Sequence, residues 1–358
     1  MNNRRTALSV AAVGTAVGVV GLVVVASPAG AGEAAPALPD ISAESLVESV
    51  LQAEPPALAG SVGIENNLGL PIPGLPAESS GDGVQVYADG TGKGRLALSS
   101  DSGDTTIVED GANTWIWSSA DRTVLKVPMD KAAAEQQPVD PKLADPATAA
   151  RELLTEMRAD STIAVDGTAT VAERPVYQLV LSPKPTEKTL LREIRVSVDA
   201  ETRMPLRLEV LANGQADPAL RVGFTEFATG AQDPALFQFT PPAGTEVTEE
   251  QPGQEPKKGQ TPEDLLGQLQ FDTDGEGWDT VLTGTLPAGS LNATTENGEN
   301  GENPAVLLRE LGTEVHGAFG TGWLIKASVG TALVAEDGRF AVGAVPEQVV
   351  TEALGQPK

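Results

Sequence analysis

The sequence contains no cysteine. That excludes a disulfide framework, a thiolate zinc site, a thiol nucleophile and a lipobox anchor, whose lipid is carried on a cysteine. Histidine occurs once, as His316. A Ser-His-Asp triad would have to rest on it, and no nucleophile-elbow sequence accompanies it. The histidine is read as structural and the chain as non-enzymatic. Aromatic residues make up only 4% of the 358 positions, so the core must be built from Val, Leu and Ala. Cations are also scarce: 24 Lys and Arg stand against 50 Asp and Glu, a formal net charge of −26. Such a surface repels phosphate backbones, which argues against nucleic acid as a partner and against docking of the folded part on anionic headgroups.

What is present begins with a leader. Arg4 and Arg5 precede a stretch, 6–32, in which no residue is charged, and Ala29-Gly30-Ala31 supplies a small-x-small pattern. Segment 1–31 reads as a signal peptide cleaved after Ala31 or as a retained signal anchor, since its apolar stretch is about long enough to span a bilayer. Either fate puts the remaining chain outside the cytoplasm, secreted or anchored to the cytoplasmic membrane.

Gly (38) and Pro (27) are both frequent, which suits short strands and many turns. The periodicity predicts a helix over 41–53, with Ser42 as its cap and Leu46, Val47, Val50 and Leu51 on one face. Pro and Gly then break the chain over 70–74. From Val84 to Val127, short alternating runs separated by Asp89-Gly90, Asp110-Gly111 and Ala120-Asp121 predict a β-meander. A second helix is expected after Asp145, with Pro146 in its first turn and Leu153, Leu154 and Met157 on its apolar face. Strands resume over 162–170, 176–182, 191–199, 205–211 and 220–227, with room for a closing strand at 237–240. Ile194, Val196 and Val198 interleave with Arg195 and Ser197, and Leu206, Leu208 and Val210 with Arg207 and Glu209. Each of these strands therefore has one apolar and one wet face. A long antiparallel sheet of this kind must cover its apolar face, and the two helices are the obvious cover, with the remaining space left as a cavity. Residues 247–260 suit a linker, and 261–358 a smaller α+β module with the acidic low-complexity loop 296–303 inside it.

Residues 41–246 resemble the LolA/LolB/RseB superfamily of envelope proteins. The resemblance rests on the leading helix, the hairpin DGANTWIWSSADRTVLKVP (110–128), the mid-chain helix, the hairpin RVSVDAETRMPLRLEV (195–210), the strand VGFTEF (222–227) and the tail ALFQFTPPAGTEV (235–247). Its most specific element is a strand ending in Asp-x-x-Thr, followed by a Pro-Leu-Arg strand, here Asp199, Thr202 and Pro205 to Arg207. The stretch 331–350 is similar to the tails of actinobacterial members. The resemblance implies a mainly β fold: a half-open antiparallel β-barrel covered by helices, with an apolar cavity for acyl chains.

Trp115 and Trp117 are two apart on one strand, so both project to one face, either into plain core or into that cavity. Tyr177 and Leu179 form a similar face. With Val196, Leu206, Leu208 and Phe224 they make up the candidate cavity lining. Asp272, Asp274 and Glu276 are spaced like the start of a calcium loop, but its twelfth position is Thr283 and no bidentate carboxylate follows, so a solvated acidic turn is expected and no metal. No cofactor is implied: Gly320-Thr321-Gly322 lacks the context of a phosphate loop. The expected function is a carrier that binds a lipid acyl chain or a lipoprotein. The alternative is an RseB-like envelope-stress sensor whose second module docks on a membrane-anchored regulatory protein such as an anti-sigma factor.

Overall fold

Alternating apolar and polar residues, cut by Gly-, Asp- and Asn-rich turns, produce two separate sheets. The computed structural model describes residues 35–69, 78–100, 103–129, 146–249, 271–286 and 304–355. The leader, the 70–74 break, most of the linker, the helix start expected at 261 and the loop 296–303 lie outside them.

The larger sheet has twelve strands. They are β1 (Leu58–Asn66), β2 (Glu78–Ala88), β3 (Gly94–Ser100), β4 (Gly103–Glu109), β5 (Asn113–Ser118), β6 (Thr123–Pro128), β7 (Ser161–Val171), β8 (Arg174–Pro183), β9 (Leu191–Asp199), β10 (Pro205–Ala212), β11 (Leu220–Thr229) and β12 (Glu246–Glu249). Their order is β12-β6-β5-β4-β3-β2-β1-β11-β10-β9-β8-β7, an open run whose first and last strands do not pair. All neighbours are antiparallel except β12 and β6. The stretch expected to open the linker thus begins as a parallel edge strand.

β1 joins the two halves of the sheet, pairing with β2 on one side and β11 on the other. Its sequence, LAGSVGIEN, carries no strong strand signal, yet the close approach of β11 explains a glycine. A Cβ on Gly60 would stand 2.7 Å from the Phe224 ring and 2.6 Å from the Glu226 carbonyl oxygen.

Two helices cover one end of the sheet. α1 (Ala43–Gln52) is capped by Ser42, whose Oγ accepts from the Ser45 N–H at 3.1 Å. α2 (Pro146–Met157) packs against α1 and β7. Ala43, Leu46, Val47, Ala150 and Leu154 meet Ile163, Tyr177, Leu179, Val196 and Val198 in the main core. Leu51 and Leu153, expected on the apolar faces, point outward at 41% and 44% exposure. Leu46, Val47, Val50, Leu154 and Met157 do face inward as expected, joined by Ala43 and Ala150 at i, i+3, i+4 and i+7 spacing.

The smaller sheet has six strands: β13 (Phe271–Asp274), β14 (Val281–Thr285), β15 (Thr313–Gly317), β16 (Gly320–Lys326), β17 (Thr331–Ala335) and β18 (Arg339–Gly343), ordered β13-β14-β18-β17-β16-β15. Helix α3 (Pro304–Leu311) packs on β16, and α4 (Glu347–Gly355) lies on β14, β17 and β18, burying Val350 and Leu354 among Val281, Leu333 and Ala341. The fold is therefore mainly β, with one large open antiparallel sheet, helices laid on it, and a second smaller sheet.

Candidate functional site

Cross-strand partners in a ladder project to the same side, so the register assigns every side chain of the large sheet to one of two faces. Starting beneath the helices, Leu179 pairs with Val196, Val196 with Leu208, Leu208 with Val222 and Val222 with Ile64. Val62, two residues from Ile64, pairs with Val84. The same face continues through Val86, Leu96, Ile107, Ile116 and Leu125, each opposite the next across β2 to β6. This helix face is apolar from end to end. Under α1 and α2 it is buried, but Val86, Leu96, Ile107, Ile116 and Leu125 all remain partly exposed to solvent.

Trp115 and Trp117 flank Ile116 in β5 and project to the opposite face. There the chain after β11 crosses back over the sheet. Gly230 donates its N–H to the Ala57 carbonyl at 2.8 Å, Arg95 donates to the Leu236 carbonyl at 3.4 Å, and Phe237 is buried. Phe239 rests against Trp115 with ring centroids 5.6 Å apart. The strap ends in β12, paired with β6, and Lys126 bridges to Glu249 at 2.7 Å. Val108 and Val124, register partners of Trp115 and Trp117, are fully buried on this strap face.

The eight candidate lining residues therefore fall into three groups. Tyr177, Leu179, Val196 and, at its margin, Leu208 belong to the helix-covered core. Leu206 sits at a register shift near the start of β10 and packs with Val171 and Val176, with Phe224 and Phe227 against them. Trp115 and Trp117 belong to the strap face. The apolar row across β2 to β6 was missed as a set. Its signal was the alternation of Val84 and Val86 and of Leu96 and Leu98, which shows a face without showing what covers it.

The wet face expected for β9 and β10 is in fact a charge ladder, much of it buried. Arg195 reaches Glu193 at 3.0 Å and Glu209 at 3.5 Å, while Arg221 joins Glu209 at 2.7 Å to Glu65 at 2.6 Å. Glu193 and Glu209 are only 6% and 5% exposed. Burial pushes the Glu193 carboxyl up, against the pull of Arg192 and Arg195. Opposite charges held in register let these strands bury carboxylates that an apolar face would reject.

At the β9–β10 turn, Asp199 is fully buried. Its carboxylate accepts from Arg174 Nε at 3.0 Å and Nη2 at 2.9 Å, and from the Thr202 N–H and Oγ1, each at 2.7 Å. Burial pushes this carboxyl up, but Arg174 and Thr202 outweigh it and hold it below the ordinary value. The Asp-x-x-Thr signature is thus a structural turn lock.

The smaller sheet meets one end of the larger. Thr189 Oγ1 and the Leu190 N–H donate to the Ala344 carbonyl at 2.7 and 2.8 Å, and the Ser328 N–H donates to the Leu68 carbonyl at 3.0 Å. Trp278 donates its indole N–H to Ser161 Oγ at 2.7 Å and packs against the helix-covered core. Beside it opens a cleft of about 490 Å³, floored by Met157, Leu181, Leu191 and Ile194 and edged by Glu156 and Asp160.

His316 lies in β15, largely exposed, with Thr321 Oγ1 3.3 Å from Nδ1 and Glu314 3.6 Å from Nε2. Among the described residues no group of three His, Asp or Glu is placed to hold a metal ion, and no helix is long and apolar enough to cross a membrane.

The chain thus combines a large open antiparallel sheet, helices laid on its apolar face and a second, smaller sheet at one end. Among solved structures, the chain is similar to the MucA/MucB complex of Pseudomonas aeruginosa at 17% identity, covering 87% of this chain and 96% of that one with a TM-score of 0.44. It is also similar to an uncharacterized conserved protein of Thermus thermophilus (13% identity, 58% and 97% covered, TM-score 0.33) and to a LolA superfamily protein of Nitrosomonas europaea (12%, 56% and 99%, TM-score 0.23). No family model and no curated protein matches the sequence.

Proposed function

We propose that this chain is an extracytoplasmic, non-enzymatic binding protein that holds the acyl chain of a lipid or lipoprotein along its helix face. The observation that supports the reading is the apolar row Val86, Leu96, Ile107, Ile116 and Leu125, in register across five strands and partly exposed along its length. Contiguous apolar surface of this kind marks a binding site on a soluble protein. Each acyl methylene moved from water onto the row gains about 0.8 kcal/mol when fully buried. In this reading the chain's inner end approaches Leu208 and Phe224, while Tyr177, Leu179 and Val196 form the helix-filled wall that stops it. Trp115 and Trp117 hold the strap and do not touch the ligand.

Native mass spectrometry of the protein purified from its own envelope tests this. The expected result is a mass increment that lipid extraction removes. If no lipid accompanies the protein, the carrier reading fails.

A second reading, a sensor that docks on a membrane-anchored regulatory protein such as an anti-sigma factor, is favoured by the seam at Trp278 and Ala344. A module fixed to the end of the apolar core is placed to feel its occupancy. Recovery of a membrane protein with the lipid-free chain would favour this reading.

A further inference from the structure

The strap face carries a second concavity that the acyl reading does not use. Two bodies border it. One is the β7–β8 hairpin tip, Ala172 and Glu173, held with positive φ of 47° and 62°. The other is the strap at Asp233 to Leu236. Between the hairpin tip and the sheet lies a cleft of about 610 Å³, lined by Ser61, Gln85, Tyr87, Glu173, Glu226 and Phe227 among others. Between the sheet and the strap lies one of about 410 Å³, lined by Gln85, Tyr87, Arg95, Ala97 and Asp233 among others. Gln85 and Tyr87 line both, so the two form one trough across β1, β2 and β3.

The floor is built before any ligand arrives. Ser61, 2% exposed, donates from Oγ to Glu226 at 3.2 Å and accepts from Gln85 Nε2 at 2.9 Å. That fixes the amide and the carboxylate in place and leaves each with further hydrogen-bonding capacity. Ala59 and Ala97, register neighbours of Tyr87 and Gln85, keep the ground around the ring low.

The chemistry of the lining selects among ligands. The floor lies in internal strands whose backbone groups are already paired, so an extended peptide cannot be bound by strand addition. An acyl chain would desolvate an amide, a hydroxyl and carboxylates without satisfying them. Glu173, Glu226 and Asp233 repel phosphates and other anions. What fits an aromatic ring edged by an amide, carboxylates and one guanidinium is a neutral ligand with a C–H face for the ring and hydroxyls around it. We infer that the trough spanning Ser61, Gln85, Tyr87 and Glu226 is a binding site for a neutral oligosaccharide, its sugar ring laid on Tyr87. Ser61, Gln85 and Tyr87 alternate along β1 and β2 with Val62, Val84 and Val86, so substitutions can disrupt either site without the other.

The test uses the full exported chain with three probes: chitotriose for β-linked N-acetylated glycan, cellotriose for plain β-glucan and maltotriose for α-glucan. Isothermal titration and saturation-transfer NMR should show saturable binding of at least one, with transfer to its ring protons. Tyr87→Ala and Gln85→Ala should each weaken it about tenfold or more, a loss of at least ~1.4 kcal/mol, while Ile116→Asp leaves it unchanged. Gln85→Ala decides the matter if circular dichroism shows Tyr87→Ala to be unfolded. No saturable binding of any probe, or binding that survives the folded trough variants, overturns the inference.

Discussion

Trp278, in the turn before β14, donates its indole N–H to the Oγ of Ser161, the first residue of β7, at 2.7 Å. One side chain thus joins the smaller sheet's module to the edge strand of the larger sheet, and it also packs against the core beneath α1 and α2. Trp278→Ala removes a half-buried ring and one hydrogen bond, together worth about 2–3 kcal/mol. Calorimetry should show one unfolding transition in the native chain and two in the variant, because without the ring the coupling between the sheets falls to the contacts at Ala344 and Leu68. A variant that keeps a single transition at the native temperature would show that the seam holds without it.

Asp199 and Arg174 make the other specific lock. Replacing Arg174 with Met leaves the fully buried Asp199 carboxylate without its bidentate partner, and losing one member of a buried pair costs about 3–5 kcal/mol. The denaturant midpoint should fall accordingly. Adding Asp199→Asn should recover part of the loss, since a neutral side chain tolerates burial better than an unpaired charge.

Asp110 predicts a pH dependence. Burial pushes its carboxyl up, but the Trp115 indole N–H at 2.8 Å and the Ala112 and Asn113 amides at 2.8 and 2.7 Å outweigh it and hold it at about 2. A depressed carboxyl stabilises the fold above its ordinary value of 3.8 and loses that contribution as pH falls through about 2. Asp110→Asn should therefore destabilise by about 1 kcal/mol at neutral pH, and the difference from the native chain should shrink between pH 4 and 2, as urea titrations at stepped pH will measure. A difference that stays constant over that range would contradict the assignment.

These locks differ in how far the residues announce them. The alternation of Ile194, Val196 and Val198 with charged neighbours marks β9 and its apolar face without ambiguity, and the Asp-x-x-Thr spacing marks the turn that Asp199 organises. β1 is silent because Gly60 serves the close approach of β11 and Ser61 its own hydrogen-bond network, and strand propensity has no part in that. Alternation puts Trp115 and Trp117 on one face but is symmetric between faces. Only the aperiodic strap, with Phe237 and Phe239, breaks the symmetry. Helix periodicity likewise fixes a face only to within about one position, which is why Leu51 and Leu153 turn outward. The charge ladder from Glu193 to Glu65 looks like an ordinary wet face until the register pairs its signs.

Whether an acyl chain lies on the helix face can be read by photo-crosslinking. A diazirine-bearing palmitate should be bound to the folded chain, irradiated, and the adducts mapped by peptide mass spectrometry. A helix-face acyl site requires adducts on β2 to β6 at Val86, Leu96, Ile107, Ile116 or Leu125, abolished in Ile116→Asp and retained in Trp117→Asp. Adducts confined to Trp115, Trp117 and the strap, or none that excess unlabelled palmitate suppresses, would contradict it.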